Sequence, residues 1–350
     1  MIKMSEKVLI TGLSGQDGYY LARDLLEKDY EVWGLVRRNT AGELSWGNIP
    51  PDMQERIHVV VGDVSSRRLF DELFDRERFS YVYHLAAQSH VGYSFEAAEY
   101  TWQVNYEGTK NIIDALIDHS RSTKMYNAAT SELFGTPKSK PQYEEYPMYA
   151  NSPYAIAKLA AYNYARIQRE SGKLSIWNGI TYNHESEIRG RDFLFPKVAY
   201  GIVSNNLELG NMDARKDWGY APEYVKAFQM MLESGKSPTD YIVATNVQHS
   251  VRDVVKSFAE AYVRHYLKKD VSDALVYENV YDIMGRVRVN KKWFRQVEAE
   301  NYQGSYVKIH EELGWEPKVS FDEMIKIIME NEIKKNKKRL EPLESSLLKR

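Results

Sequence analysis

Cysteine is absent from all 350 residues. That excludes a disulfide framework, a thiolate nucleophile and a cysteine-ligated metal site. Long apolar runs are missing as well: nothing approaches the roughly 20 residues a bilayer span requires, and no signal-peptide pattern opens the chain. Charge of one sign is missing too. With 47 Lys and Arg against 49 Asp and Glu, the formal net charge is −2, which provides no global field for nucleic acid. A soluble cytoplasmic protein without membrane or nucleic-acid partners is the expectation. The chain is too long for one ordinary core, so a larger and a smaller unit are expected.

What is present begins with a short apolar run, Lys7-Val8-Leu9-Ile10-Thr11, followed by Gly12-Leu13-Ser14-Gly15-Gln16-Asp17-Gly18 and a helical stretch from Tyr19 to Lys28. This is strand, glycine turn, helix. Gly12 permits the tight turn, Gly15 lets backbone approach a pyrophosphate, and Gly18 allows close helix packing, with the helix N-terminus facing the anion. The next strand, Tyr30 to Val36, ends in Arg37-Arg38. An NAD-binding unit usually carries an acid there for the ribose 2′-hydroxyl, so two arginines favour the 2′-phosphate of NADP. The plainer alternative is a solvated basic turn.

Alternation continues through His58 to Val61, ending in Gly62-Asp63-Val64, then Tyr81 to Leu85, ending in Ala86-Ala87-Gln88-Ser89, then Lys124 to Ala129. Helical patterns at Trp102 to Asp118 and Ser152 to Glu170 separate or follow these runs. Such a rhythm predicts an α/β fold, a Rossmann-type doubly wound parallel sheet, with a smaller, mixed α/β C-terminal substrate domain. Ligands of such sheets sit outside the carboxyl ends of the strands, where Asp63, Ala86, Ala87, Thr130 and Glu132 fall. The expected division is 1–180 for the Rossmann unit, with a segment near 213–245 returning to it, 181–340 mainly for substrate, and 341–350 as a tail.

Tyr154 and Lys158 stand four apart on the second of those helices, on one face. A tyrosine is a poor base near its ordinary pKa of about 10, and a neighbouring cation lowers that value. The pair therefore predicts a tuned acid/base, with Thr130-Ser131-Glu132 upstream supplying a hydroxyl and a carboxylate. After about residue 180 the rhythm fades. Asn183-His184-Glu185-Ser186 and Arg189-Gly190 follow a strand from Leu174 to Tyr182, then Lys197, then Asn211 through Gly219 with Arg215 and Lys216. Cations spaced through loops suit a diphosphate. Arg295 and Glu298 precede a helix closed by Gly314, and Ser320-Phe321-Asp322-Glu323 opens another as a capping box. The lysine-rich end from Lys334 to Arg350 reads as a frayed helix and solvated tail.

Taken together, the glycine turn, Arg37-Arg38, Ala87-Gln88-Ser89-His90-Val91, Thr130-Ser131-Glu132-Leu133, Ser152-Pro153-Tyr154 with Lys158, Asn183-His184-Glu185-Ser186, Asp217-Trp218-Gly219 and the Arg295/Glu298 pair resemble the GDP-mannose 4,6-dehydratase family of extended short-chain dehydrogenase/reductases. The resemblance runs from about residue 6 to about residue 330. Related dTDP- and UDP-sugar dehydratases carry Asp-Glu where this chain has Ser131-Glu132. The resemblance implies a tightly bound, recycled NADP held by Gly12, Gly15, Gln16, Asp17, Gly18, Arg37 and Arg38. Asp63, Val64, Leu85, Ala86, Ala87, Ser89, Tyr154, Lys158, His184 and Arg189 would complete that site. It implies a GDP-sugar held by Ser89, Thr130, Ser131, Glu132, Asn183, Lys197, Asn211, Arg215, Arg295 and Glu298, with Thr130, Glu132, Tyr154 and Lys158 catalytic, no metal, and a homodimer or homotetramer. Tyr154 would take the 4-hydroxyl proton, and Glu132 would remove the C5 proton and help the 6-hydroxyl leave.

Several positions depart from the family pattern: Phe195-Pro196 replace Thr-Arg, Arg215-Lys216 reverse Lys-Arg, Gln296 replaces Pro, and Asn105 replaces Asp. They imply retained 4,6-dehydration with altered sugar or nucleotide contacts, on GDP-mannose or a GDP-manno-heptose. A GDP-sugar reductase or epimerase would not need Glu132, and an NADP-sensing binding protein would not need Tyr154 and Lys158.

Overall fold

The computed structural model describes residues 6–267, 272–294 and 301–336. The strands are β1 (Lys7–Thr11), β2 (Glu31–Val36), β3 (His58–Val61), β4 (Tyr81–His84), β5 (Lys124–Thr130), β6 (Ser175–Thr181), β7 (Asn183–Glu185), β8 (Glu208–Leu209), β9 (Arg215–Tyr220), β10 (Asp240–Val243), β11 (Gln248–Ser250) and β12 (Arg288–Val289). Seven of them form one sheet in the order β3-β2-β1-β4-β5-β6-β10, every neighbouring pair parallel. Parallel strands covered on both faces need apolar runs rather than alternation, and Val8, Leu9 and Ile10 of β1 are all fully buried. The Rossmann-type reading holds, and β10 rejoins the main sheet after the chain has left it for β7 to β9.

Strand order reverses between β1 and β4, the switch point where such sheets bind ligands. His84 fixes this junction. Its Nδ1 lies 2.7 Å from Thr11 Oγ1 and its Nε2 3.0 Å from Thr109 Oγ1, and burial, with Lys158 nearby, pushes it down to about 3, so a neutral ring braces two strands and a helix.

The helix with the Tyr-Lys pair spans Pro153–Glu170, with Ser152 capping it by accepting from Ala155 N at 3.1 Å. It is tied to the sheet edge through buried Asp240, which accepts from Arg169, Tyr162 and Asn178 at 2.6, 2.7 and 2.9 Å. The expected helix from Trp102 to Asp118 is interrupted by a wide turn at Gln103–Glu107 before continuing as Gly108–His119. The first helix starts at Gln16, one turn before the expected Tyr19, because the end of the glycine turn is already its first turn. Gly314, with φ 76°, closes the helix Val307–Leu313, and Ser320 Oγ accepts from Glu323 N at 3.2 Å to open Phe321–Lys335. Residues 337–350 lie outside the described residues.

A second core, built on Phe195, Val255, Phe258 and Ile328, underlies the smaller mixed unit of the short sheets β11-β9-β7 and β12-β8. Asp217 of β9 joins its segments. Its oxygens accept from Thr245 N, Thr245 Oγ1, Asn246 N and Gly304 N at 2.9, 2.7, 2.9 and 3.3 Å; burial pushes the carboxyl up to about 6 against these bonds. Asp217→Ala leaves those buried donors without an acceptor and is expected to cost about 3 kcal/mol or more. Urea unfolding reads this, and an unchanged midpoint would contradict it.

Candidate active site

The glycine turn is built for close approach. Gly12 has φ 76°, and a Cβ there would stand 2.7 Å from Ala86 N, so no other residue fits without moving the segment that follows β4. A Cβ on Gly18 would meet Gly12 O at 2.4 Å, which is the close helix packing expected of it. Gly15 caps the helix with no side-chain hydrogen bond, leaving first-turn N–H groups for an anion. Asn105 fixes the backbone of the segment that follows β4. Its amide accepts from Gln88 N at 2.8 Å and donates to Gln88 O at 3.0 Å, a two-way bond that a carboxylate could not make. The replacement of Asp by Asn105 is therefore a backbone clamp, not a change of substrate contact.

A cavity of about 360 Å³ lies over this turn. It is lined by the predicted Gly12, Gly15, Gln16, Asp17, Gly18, Arg37, Asp63, Val64, Leu85, Ala86, Ala87, Ser89 and Arg189. Ser45, Asn48 and Tyr100 also line it and were not foreseen; none carries a motif at its own position. Arg37 faces in, 3.3 Å from Tyr100 OH and 3.7 Å from Asp63. Arg38 does not: its Nη1 donates to Gly42 O at 2.7 Å, because successive residues leave the strand on opposite sides. Gln16 and Asp17 also bridge to the smaller unit, Gln16 with Ser186 Oγ at 2.7 Å and Asp17 with His184 Nε2 at 2.9 Å. Burial raises Asp17, but His184 and Arg189 outweigh it and hold the carboxyl down at about 2.

A second cavity, of about 670 Å³, adjoins the first and shares Asp17, Leu85, Ala87, Ser89, Arg189 and Phe193 with it. Thr130, Ser131, Glu132, Tyr154 and Lys158 line it, with Asn183, His184 and Asn211. Thr130 ends β5 and Glu132 sits in the tight turn Ser131–Phe134 that follows. Gly135 at φ 61° ends that turn against Tyr149 O, where a Cβ would collide at 1.7 Å. Arg189 stacks on the Phe193 ring at 3.8 Å, and Phe193 on His90 at 4.6 Å, at the join of the cavities.

Tuning of the phenol by the lysine is corrected. Burial pushes Tyr154 up to about 12; the nearby Thr130 hydroxyl and Arg189 pull down, and Glu132 pushes further up. Lys158 is itself lowered to about 8 by burial, and its Nζ donates to Ala128 O at 2.8 Å. Desolvation of both groups outweighs the attraction expected from their spacing.

Glu132 is held from two sides. Lys216 Nζ is 3.1 Å from Oε1, their side chains 13% and 11% exposed, and Tyr302 OH is 3.3 Å from Oε2. Of the Arg215-Lys216 pair, β9 turns Lys216 and Trp218 into the cavity and leaves Arg215 exposed, bonded to Gln248 O at 3.2 Å. The strand period of 2 was the available signal for Lys216; Tyr302, 170 residues from Glu132, gave none. Lys197 lines neither cavity. Phe195 and Pro196 are buried, Phe195 against Trp218 and Phe258 at 5.5 and 5.6 Å, so this departure from the family pattern is packing rather than pocket. Arg295, Gln296 and Glu298 lie outside the described residues.

The family model described as GDP-mannose 4,6 dehydratase matches residues 9–328. The GDP-mannose 4,6 dehydratase of Drosophila melanogaster is 38% identical over 344 residues, covering 93% of this chain and 85% of that protein. The GDP-mannose 4,6 dehydratase of Homo sapiens is 37% identical over 349 residues, covering 93% and 91%. Among solved structures, dTDP-glucose 4,6-dehydratase from Streptomyces venezuelae with NAD and TYD bound superposes with a TM-score of 0.77 at 22% identity, over 96% of this chain and 99% of that one. RMD from Pseudomonas aeruginosa complexed with NADPH gives 0.71 at 19% identity, over 95% and 100%. At these identities the solved structures share the fold.

Proposed function

Because the chain belongs to the GDP-mannose 4,6-dehydratase family, we propose that it binds NADP in the first cavity and a GDP-linked hexose, GDP-mannose foremost, in the second, and converts the sugar to its 4-keto-6-deoxy form. The observation that carries this is the convergence of Thr130, Glu132, Tyr154 and Lys158 on one cavity that opens into the glycine-turn cavity. The residues fit a dinucleotide: the Gly12 and Gly18 positions leave no room for a Cβ, the helix end offers free N–H groups, and Arg37, which lines the same cavity, would offer a cation to a 2′-phosphate. A nicotinamide dinucleotide held there would supply the hydride acceptor for C4 and the donor for C6.

The protein's own groups do the proton work. Burial raises the Tyr154 phenol, so its phenolate is a minority form at neutral pH; that phenolate takes the proton of the 4-hydroxyl as C4 is oxidised, and the Thr130 hydroxyl at the end of β5 steadies the 4-oxygen. Lys158, near neutrality in pKa and anchored at Ala128 O, supplies a cation at the foot of the cavity. The 4-ketone acidifies C5, so Glu132 removes that proton as the C5–C6 double bond forms, and returns it to the departing 6-hydroxyl, which leaves as water. Nothing is oxidised or reduced overall.

Incubation with GDP-mannose, and in parallel with a GDP-manno-heptose, followed by mass spectrometry, tests the reading: loss of one water without added reductant is expected, and loss from neither sugar would refute it. Cofactor choice has its own test. Arg37→Ala is expected to weaken NADP binding by roughly tenfold to a hundredfold, the equivalent of one charge-assisted contact, and to leave NAD binding little changed. Arg38→Ala, whose guanidinium faces Gly42, serves as the control; fluorescence titration in which Arg38→Ala gave the larger loss would reverse the assignment.

A further inference from the structure

We propose that Lys216 is a positioning residue for the elimination, holding Glu132 in the ionised form that can take the C5 proton. This rests on the dehydratase reading above. The ammonium and the carboxylate meet at 3.1 Å with little of either side chain in water, so their attraction is weakly screened. The groups that face Glu132 come from several elements. Lys216 approaches from β9, and Tyr302 from the C-terminal segment. The Tyr154 phenol faces it from the helix Pro153–Glu170, where it feels the Glu132 charge, and the Thr130 hydroxyl accepts from Glu132 N at 3.2 Å. Lys158 and Arg189 also line this cavity.

Among these described groups, Lys216 brings a full positive charge within hydrogen-bond reach of a Glu132 oxygen. Tyr302 cannot substitute for it: its hydroxyl, 2.6 Å from Gly135 O and 3.3 Å from Glu132 Oε2, is neutral and brings no charge to the carboxylate. The Tyr302 ring instead supports the ammonium, 5.0 Å from its centroid. A carboxylate in such surroundings without its cation takes up a proton, and a protonated Glu132 cannot act as base. The point is sharpened by Ser131, which leaves the turn Ser131–Phe134 with Glu132 as its one carboxylate.

The variants Lys216→Gln and Lys216→Arg, assayed with GDP-mannose across pH, test the proposal. Loss of the cation raises the Glu132 pKa, so the base form is populated only at higher pH. Lys216→Gln is expected to move the acidic limb of kcat upward by about one to three pH units with KM within about threefold, so that the loss is tenfold or more at pH about 6 and shrinks as pH rises. Deuterium exchange into C5 from heavy water should follow the same limb, and cofactor content should stay at the wild-type level. Lys216→Arg, which keeps the charge, should restore the limb. An unmoved limb in Lys216→Gln, or an arginine variant no better than the glutamine one, would overturn the assignment. Absence of water loss from the wild type would instead overturn the dehydratase reading, and is seen before any variant is made.

Discussion

Glu132→Gln is expected to lower the rate of water loss by about 10²- to 10⁴-fold, the range of a lost general base, while leaving fold and cofactor content intact. The amide keeps the size of the side chain, and its oxygen can still accept from Lys216, whose Nζ is 3.1 Å from Oε1. What the amide cannot do is take a proton from C5. Oxidation at C4 does not need Glu132, so the variant should stall there: reduced nicotinamide absorbance builds up on addition of GDP-mannose, and the recovered sugar shows no exchange of C5 hydrogen with heavy water. An undiminished rate would mean that another group is the base.

Tyr154→Phe is expected to be as damaging, by about 10²- to 10⁴-fold, but one step earlier. With the phenol gone nothing takes the 4-hydroxyl proton, and neither reduced nicotinamide nor C5 exchange should appear. The fold should survive, because the ring that lines the cavity keeps its size and only one oxygen is removed. The two variants thus divide the reaction at the ketone. If Tyr154→Phe still accumulated reduced nicotinamide as Glu132→Gln does, the phenol would not be the group that opens the reaction.

The parallel sheet was legible because strands buried on both faces leave continuous apolar runs, as Val8-Leu9-Ile10 does, and glycines mark where the chain must turn against β4. The catalytic turn was legible for a related reason, since Thr130 and Glu132 fall at a strand end, where such sheets place ligands. What escaped was the direction of side chains and contact at long range. Two neighbouring cations, Arg37 and Arg38, read alike, yet one faces the cavity and the other Gly42. Arg215 was preferred to Lys216 for the substrate, although only Lys216 reaches the cavity. The i,i+4 spacing of Tyr154 and Lys158 put them on one face, but spacing carries no information on burial, which raises the phenol and lowers the ammonium. Phe195-Pro196 and Asn105 looked like altered ligand contacts. They are a core pack and a backbone clamp, distinctions that depend on neighbours far along the chain.

An enzyme that oxidises C4 only to expel water at C5–C6 must return the same hydrogen to C6. The most direct measurement follows that atom: GDP-mannose carrying deuterium at C4 is turned over in ordinary water, and the product is examined by NMR. Deuterium at C6 of a 4-keto-6-deoxy sugar, with C5 hydrogen drawn from solvent, is the predicted result. Deuterium retained at C4, or washed out into solvent without appearing at C6, would contradict the assignment of Tyr154 and Glu132 to one internal oxidation, elimination and reduction.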